Sequence, residues 1–207
     1  MMIIVRITMA ALVGAALCLP AAGVSEEAPA AAPAAAAETV KSFGGPALVT
    51  DIGQGNTGKL VEVMLRKSAA VEFTADPLAK ADALAGVKTL VVGVGASTKG
   101  LGAAGLDSDQ EMARGKELLA KAKELGIPVI GVHIGGEARR GEMSDSFNRM
   151  VCESSAVFIV WKGGDEDGFF KAICEEKKIR YEVVEAKPAA GAVLATLFGK
   201  AAASPAE

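Results

Sequence analysis

Pro128-Val129-Ile130-Gly131-Val132-His133-Ile134, followed at once by Gly135-Gly136-Glu137-Ala138-Arg139-Arg140-Gly141, is the most apolar strand candidate in the chain running into a glycine-rich loop. A nearly continuous apolar run of this length, bounded by turn residues, marks a parallel strand covered on both faces. Three other runs share its character: Ala47 to Ile52, Thr89 to Val94 and Ala156 to Trp161. These four belong in the centre of a sheet. Ala70 to Phe73 and Ile179 to Val184 interleave charged and apolar residues, which suits its edges.

Helical stripes lie between the runs. Leu60, Val61, Met64 and Leu65 mark a first helix; Met112, Leu118, Leu119, Ala122 and Leu125 mark another, opened by the capping-box sequence Ser108-Asp109-Gln110-Glu111 and closed by Gly126 and Pro128. Met143, Phe147, Met150 and Val151 form a third stripe, Phe170, Ile173 and Cys174 a fourth, and Pro188 opens a last helix through Phe198. Strands and helices in strict alternation, joined by right-handed crossovers, give a doubly wound α/β open sheet, mainly parallel and flavodoxin- or Rossmann-like. With the two charged strands at the edges the strand order is 2-1-3-4-5-6. Ligands in such sheets sit at the carboxyl ends of the strands beside the switch point, here between the first and third strands.

The chain has 207 residues, a net charge of -3, half its residues apolar and few aromatics. One core is expected, and neither nucleic-acid binding nor a polybasic membrane surface is indicated. Met1 to Arg6, an apolar run from Ile7 to Leu19 and the small-residue exit Pro20 to Gly23 have the pattern of a signal peptide over residues 1–23, so the protein is expected in the periplasm or secreted, with no membrane association beyond that segment. Residues 24–45 read as an Ala/Pro-rich linker, 46–199 as a single α/β domain and 200–207 as a disordered tail. Cleavage after Gly23 leaves Cys152 and Cys174, which in an oxidising compartment form either a disulfide or two small core residues.

Three glycine-rich loops fall at the expected switch-point edge: Gly53 to Lys59, Gly95 to Gly105 and Gly135 to Gly141. Gly53-Gln54-Gly55-Asn56-Thr57-Gly58-Lys59 has the glycine and lysine spacing of a phosphate loop, but Leu60 stands where the magnesium-binding Ser or Thr belongs. Gly100-Leu101-Gly102-Ala103-Ala104-Gly105 satisfies the dinucleotide pattern after the wrong strand, with the following helix cap too late, so no nucleotide cofactor is expected. It reads as a mobile loop. What remains is an anion site. Lys99, Arg139 and Arg140 supply charge, one of the two arginines being structural, while Gly53, Gln54, Asn56, Gly95, Gly135 and Gly136 supply polar and backbone groups. Asp51 at the end of the first strand and His133 near the end of the fourth are the one acid/base pair on offer. The acidic groups Asp107 to Glu111 and Asp165 to Asp167 lack calcium-loop spacing and read as helix caps, so no metal is expected.

The run from Thr89 through Gly100-Leu101-Gly102-Ala103-Ala104-Gly105 and Gly126-Ile127-Pro128 to the Gly135–Gly141 loop, together with Thr50-Asp51-Ile52-Gly53-Gln54, resembles a bacterial secreted family catalogued only as a domain of unknown function. The resemblance spans Pro46 to Val184. It implies an exported α/β domain and brings no catalytic label to any residue. The sequence is thus read as a binder of a small anionic ligand. Its alternatives are a small hydrolase or transferase using Asp51 and His133, and a tethered module that contacts another envelope protein.

Overall fold

The computed structural model describes residues 43–200; the signal segment, most of the linker and most of the tail lie outside the described residues. Six parallel strands form one sheet in the order β2-β1-β3-β4-β5-β6, the order the charged edge strands imply. They are β1 Ala47–Ile52, β2 Phe73–Ala75, β3 Thr89–Val94, β4 Val129–His133, β5 Val157–Trp161 and β6 Arg180–Val184. The helices are α1 Thr57–Ser68, α2 Thr98–Ala103, α3 Ser108–Glu124, α4 Glu142–Glu153, α5 Phe169–Lys177 and α6 Ala190–Leu197.

Alternation along the strands divides the core in two. Val49, Val91, Ile130, Val132 and Ile159 pack with Val61 and Leu65 of α1 and Leu194 of α6. The intervening residues Leu48, Ile52, Leu90, Val92, Phe158 and Val160 pack with α3, α4 and α5 through Leu118, Phe147 and Phe170. Both faces are covered by helices, which is why the central strands read as nearly continuous apolar runs.

Four expectations differ from the structure in detail. Strand β2 begins at Phe73 rather than Ala70, because Ala69 ends α1 in a left-handed conformation and Val71 packs as a side chain against the α1/α6 core. The crossover from β2 to β3 contains a 3-10 turn, Ala81–Leu84, where strict alternation demands an α-helix. The expected mobile loop after β3 holds the short helix α2, whose first turn is closed by Ser97 Oγ accepting from Gly100 N at 3.1 Å. The capping box of α3 is one residue earlier than expected: Asp107 accepts from Gln110 N at 2.8 Å, and Gln110 Oε1 accepts from Asp107 N at 3.0 Å. That shift turns Glu111 inward. Cys152 on α4 and Cys174 on α5 face each other with Sγ atoms 3.5 Å apart, buried and unbridged; this contact, with burial, pushes the Cys152 thiol up.

Candidate functional site

Glu111 is fully buried and holds the loop after β1 from below. It accepts from Gly53 N at 2.9 Å and Gln54 Nε2 at 3.0 Å, and is clasped by Arg114 at 2.8 Å. Arg114 also donates to the carbonyls of Ala79, at 2.7 Å, and Asp51. The sequence reading assigned Glu111 to a helix cap. Its spacing three residues before an arginine was the available signal, but that spacing also describes ordinary surface pairs.

Above this floor the glycine loops interlock. The Gly95 amide bonds Ile52 O, the Ser97 amide bonds Gly53 O, and the Ala96 amide bonds Ser144 Oγ. A Cβ on Gly55 would stand 2.2 Å from Gly95 O, and one on Gly100 would stand 2.0 Å from Gln54 O. Close backbone approach therefore accounts for these glycines. The Gly53 and Gly95 amides, read from sequence as ligand donors, are engaged inside the protein, and so is the Gln54 amide.

A crevice of about 860 Å³ opens beside the carboxyl end of β1, between the start of α1, the end of β2 and α2. Its volume lies within the range of small-molecule sites, about 300 to 1,000 Å³. Asp51, Asn56, Lys59, Ser97, Lys99 and Arg139 are its principal polar lining. Asn56 is exposed in a left-handed conformation with φ 71° and makes no side-chain cap. Lys59 pairs with Glu62 at 2.9 Å, whereas Lys99 and Arg139 have no carboxylate partner among the described residues.

Arg139 and Arg140 leave the 3-10 turn Glu137–Arg139 and its cap in different directions. The stem of Arg139 runs between glycines: a Cβ on Gly135 would lie 2.4 Å from its Cγ, and one on Gly95 3.0 Å from its Cβ. Among the described residues its guanidinium donates to the carbonyls of Gly55, at 3.4 Å, and Ala138, at 3.2 Å, and it lines the crevice. Arg140 is instead tied down. It donates to Asp145 at 2.8 Å, to Asp167 at 2.9 Å and to Gly164 O at 2.8 Å, with its guanidinium 4.4 Å from the Phe169 ring centre. Burial works against its charge, but Asp167 and Asp145 hold it protonated, and Arg140 in turn holds Asp167 down at about 2. Gly136, also expected to face ligand, packs under Trp161, where a Cβ would stand 2.4 Å from the ring.

Asp51 and His133 are not brought together. Asp51 pairs in register with Gly93, whose missing Cβ makes room for Thr57 and Gly58 at the start of α1, so its carboxylate lies on the α1 face. His133 points to the other face, its ring 4.8 Å from that of Phe170 and its Nδ1 3.3 Å from Val94 O. Strand parity could have exposed this, but only with the β1/β3/β4 register in hand. Burial pushes His133 down to about 4 and Asp51 up to about 6, the latter against the Gly58 and Lys59 amides, which favour its charged form. Both retain an unpartnered buried atom, Nε2 and Oδ1 respectively.

Of the sequence-expected residues, the crevice therefore collects Asp51, Gln54, Asn56, Lys99 and Arg139, together with Lys59 of the phosphate-loop-like stretch, and adds Ser97. No cluster of three metal-ligating side chains occurs among the described residues, and none of their helices is long and apolar enough to cross a membrane. No curated protein and no solved structure matches the chain. A family model does match, over residues 44–198, and the chain accordingly belongs to the family described as Domain of unknown function (DUF6305).

Proposed function

We propose that this domain is an exported binding module that takes a small anionic ligand in the crevice at the carboxyl end of β1, without transforming it. One observation carries the reading: Arg139 lines the crevice with its stem wedged among Gly55, Gly95 and Gly135 and, among the described residues, with no carboxylate against its charge. A guanidinium held in one direction loses little freedom when it binds, and its planar donors suit carboxylate or phosphate. Lys99 and Lys59 add positive charge at the same opening. Export rests on the pattern of residues 1–23, which supports a location in the periplasm or outside the cell.

Thermal unfolding against carboxylates, phosphates and sulfate tests the reading. A ligand at about a hundred times its dissociation constant adds about 2.7 kcal/mol and raises the midpoint by several degrees. Arg139→Ala should abolish that shift and leave the unliganded midpoint nearly unchanged. A flat response of the unaltered protein to every anion would overturn the reading in favour of a tethered module contacting another envelope protein.

A further inference from the structure

We infer that Cys152 and Cys174 are a disulfide site: folding against an oxidising thiol–disulfide couple closes them into a stabilising cross-link between α4 and α5. The setting for this chemistry rests on the export reading above; the pairing rests on the geometry.

Both side chains are buried, in the core that also holds Phe158 and Phe170, with their Sγ atoms 3.5 Å apart. That is van der Waals contact between two thiols, and it differs from the roughly 2.05 Å of a disulfide by about 1.5 Å. Burial alone could be met by any small apolar residue, whereas the mutual approach of both sulfurs is specific to a pair that can bond. The third cysteine of the sequence, Cys18, lies in the expected signal segment, so the exported chain offers each of the two a single partner. They are 22 positions apart, a separation short enough to close early in folding.

The two helices are already tied at their beginnings. Arg140 pairs with Asp145 in the first turn of α4 and with Asp167 just before α5. Cys152 and Cys174 lie farther along the same helices, so a bond between them adds a second tie. Helix α4 also holds the crevice loops: Ser144 Oγ accepts from Ala96 N at 3.2 Å, and Asn148 Nδ2 donates to the Arg139 carbonyl at 3.0 Å. Fixing α4 therefore fixes the frame that carries Arg139.

The oxidant is a disulfide RSSR, small or protein-borne. One cysteine thiolate attacks one of its sulfurs, giving a mixed disulfide and releasing RS⁻; the second thiolate attacks the protein sulfur of that mixed disulfide, forming the Sγ–Sγ bond and releasing a second RS⁻. Two electrons pass to the oxidant, and the two thiol protons end on the released thiolates. In the folded protein the neighbouring Cys174 sulfur and burial both push the Cys152 thiol up, so exchange takes place before α5 closes over the pair. Once made, the bond is shielded from reductants.

Refolding of the full chain from denaturant and dithiothreitol into a buffer of glutathione and glutathione disulfide is the test. Free thiols are blocked with iodoacetamide under denaturing conditions, and the unreduced protein is digested with trypsin. Peptides 150–162 and 172–177 should be recovered linked, and the oxidised protein should melt about 5 °C or more above the same protein in dithiothreitol. Cys174→Ala should remove both the linkage and the difference in melting. Recovery of both peptides alkylated, linkage to Cys18 or between chains in their place, or an oxidised form that melts no higher than the reduced one would each overturn the inference. Export is checked apart from this, by fractionating cells that express the full chain: recovery in the cytoplasm alone would remove the export reading and leave the refolding result standing, whereas free Cys152 and Cys174 in protein from the envelope fraction would overturn the inference itself.

Discussion

Arg139 and Arg140 are adjacent in the chain and belong to different regions of the molecule. Around Arg139 the neighbouring loops contribute glycines and carbonyls, so the side chain is positioned by shape and its charge is left unmatched. Around Arg140 they contribute Asp145, Asp167, the Gly164 carbonyl and an aromatic face, so the charge is consumed in joining the end of β4 to α4 and to the loop after β5. One region is a crevice and the other a knot. Identical side chains acquire different roles because a guanidinium paired with carboxylates has little charge left to offer an anion, whereas one held by carbonyls alone still has it to offer.

Breaking the floor of the crevice should have the largest effect. Glu111→Ala leaves the guanidinium of Arg114, 9% exposed, without its carboxylate and frees the Gly53 amide. Loss of one partner from such a buried pair costs about 3 to 5 kcal/mol. Denaturant titration should show this as a lower midpoint, with any anion response lost as well. A cost under about 1 kcal/mol would mean that the interlocked glycines hold the loop without Glu111.

Acid titration sharpens the contrast between the two sheet faces. Asp51, raised to about 6, contributes stability that is fully present below the ordinary aspartate range near 3.8 and is lost as pH rises to about 6. His133, lowered to about 4, contributes stability present above 6.5 and lost as pH falls to about 4. The two opposed terms are each on the order of 3 kcal/mol, so the unaltered protein should change little between pH 4 and 6.5. Asp51→Asn should uncover a loss of stability on acidification over that window, and His133→Gln a loss on the alkaline side. Parallel curves for all three proteins would show that neither group titrates as its burial implies.

The smallest effect separates the two arginines directly. Arg140→Ala should lower stability by about 2 kcal/mol, since it unties two carboxylates and a carbonyl, while leaving an anion-induced shift in place. Arg139→Ala should alter stability by less than about 0.5 kcal/mol and remove the shift. The reverse pattern, measured on the same melting curves, would exchange the crevice and the knot.

Much of the fold was legible because the relevant signals are short-range. Continuous apolar runs identified β1, β3, β4 and β5, and charge interleaved in Ile179 to Val184 identified an edge. The cap of α3 was misplaced because Asp107-Ser108-Asp109-Gln110-Glu111 offers two overlapping capping boxes, and the choice between them depends on where Glu111 can go. The site was legible as a location and less so as a set of residues. Lys99 and Arg139 line the crevice as their loops suggested, whereas Gly53 and Gly95 turned out to meet backbone, and Arg140 to meet Asp145 and Asp167.

By itself the amino-acid order determined the layering, the strand order and the edge at which the glycine loops gather, since apolar periodicity and crossover handedness are properties of neighbouring residues. Only the tertiary structure decided which arginine is paired with carboxylates, that Glu111 props the β1 loop, and that Asp51 and His133 stand on opposite faces. Each of those outcomes depends on groups brought together from distant parts of the chain, and a charge has no partner until the fold supplies one.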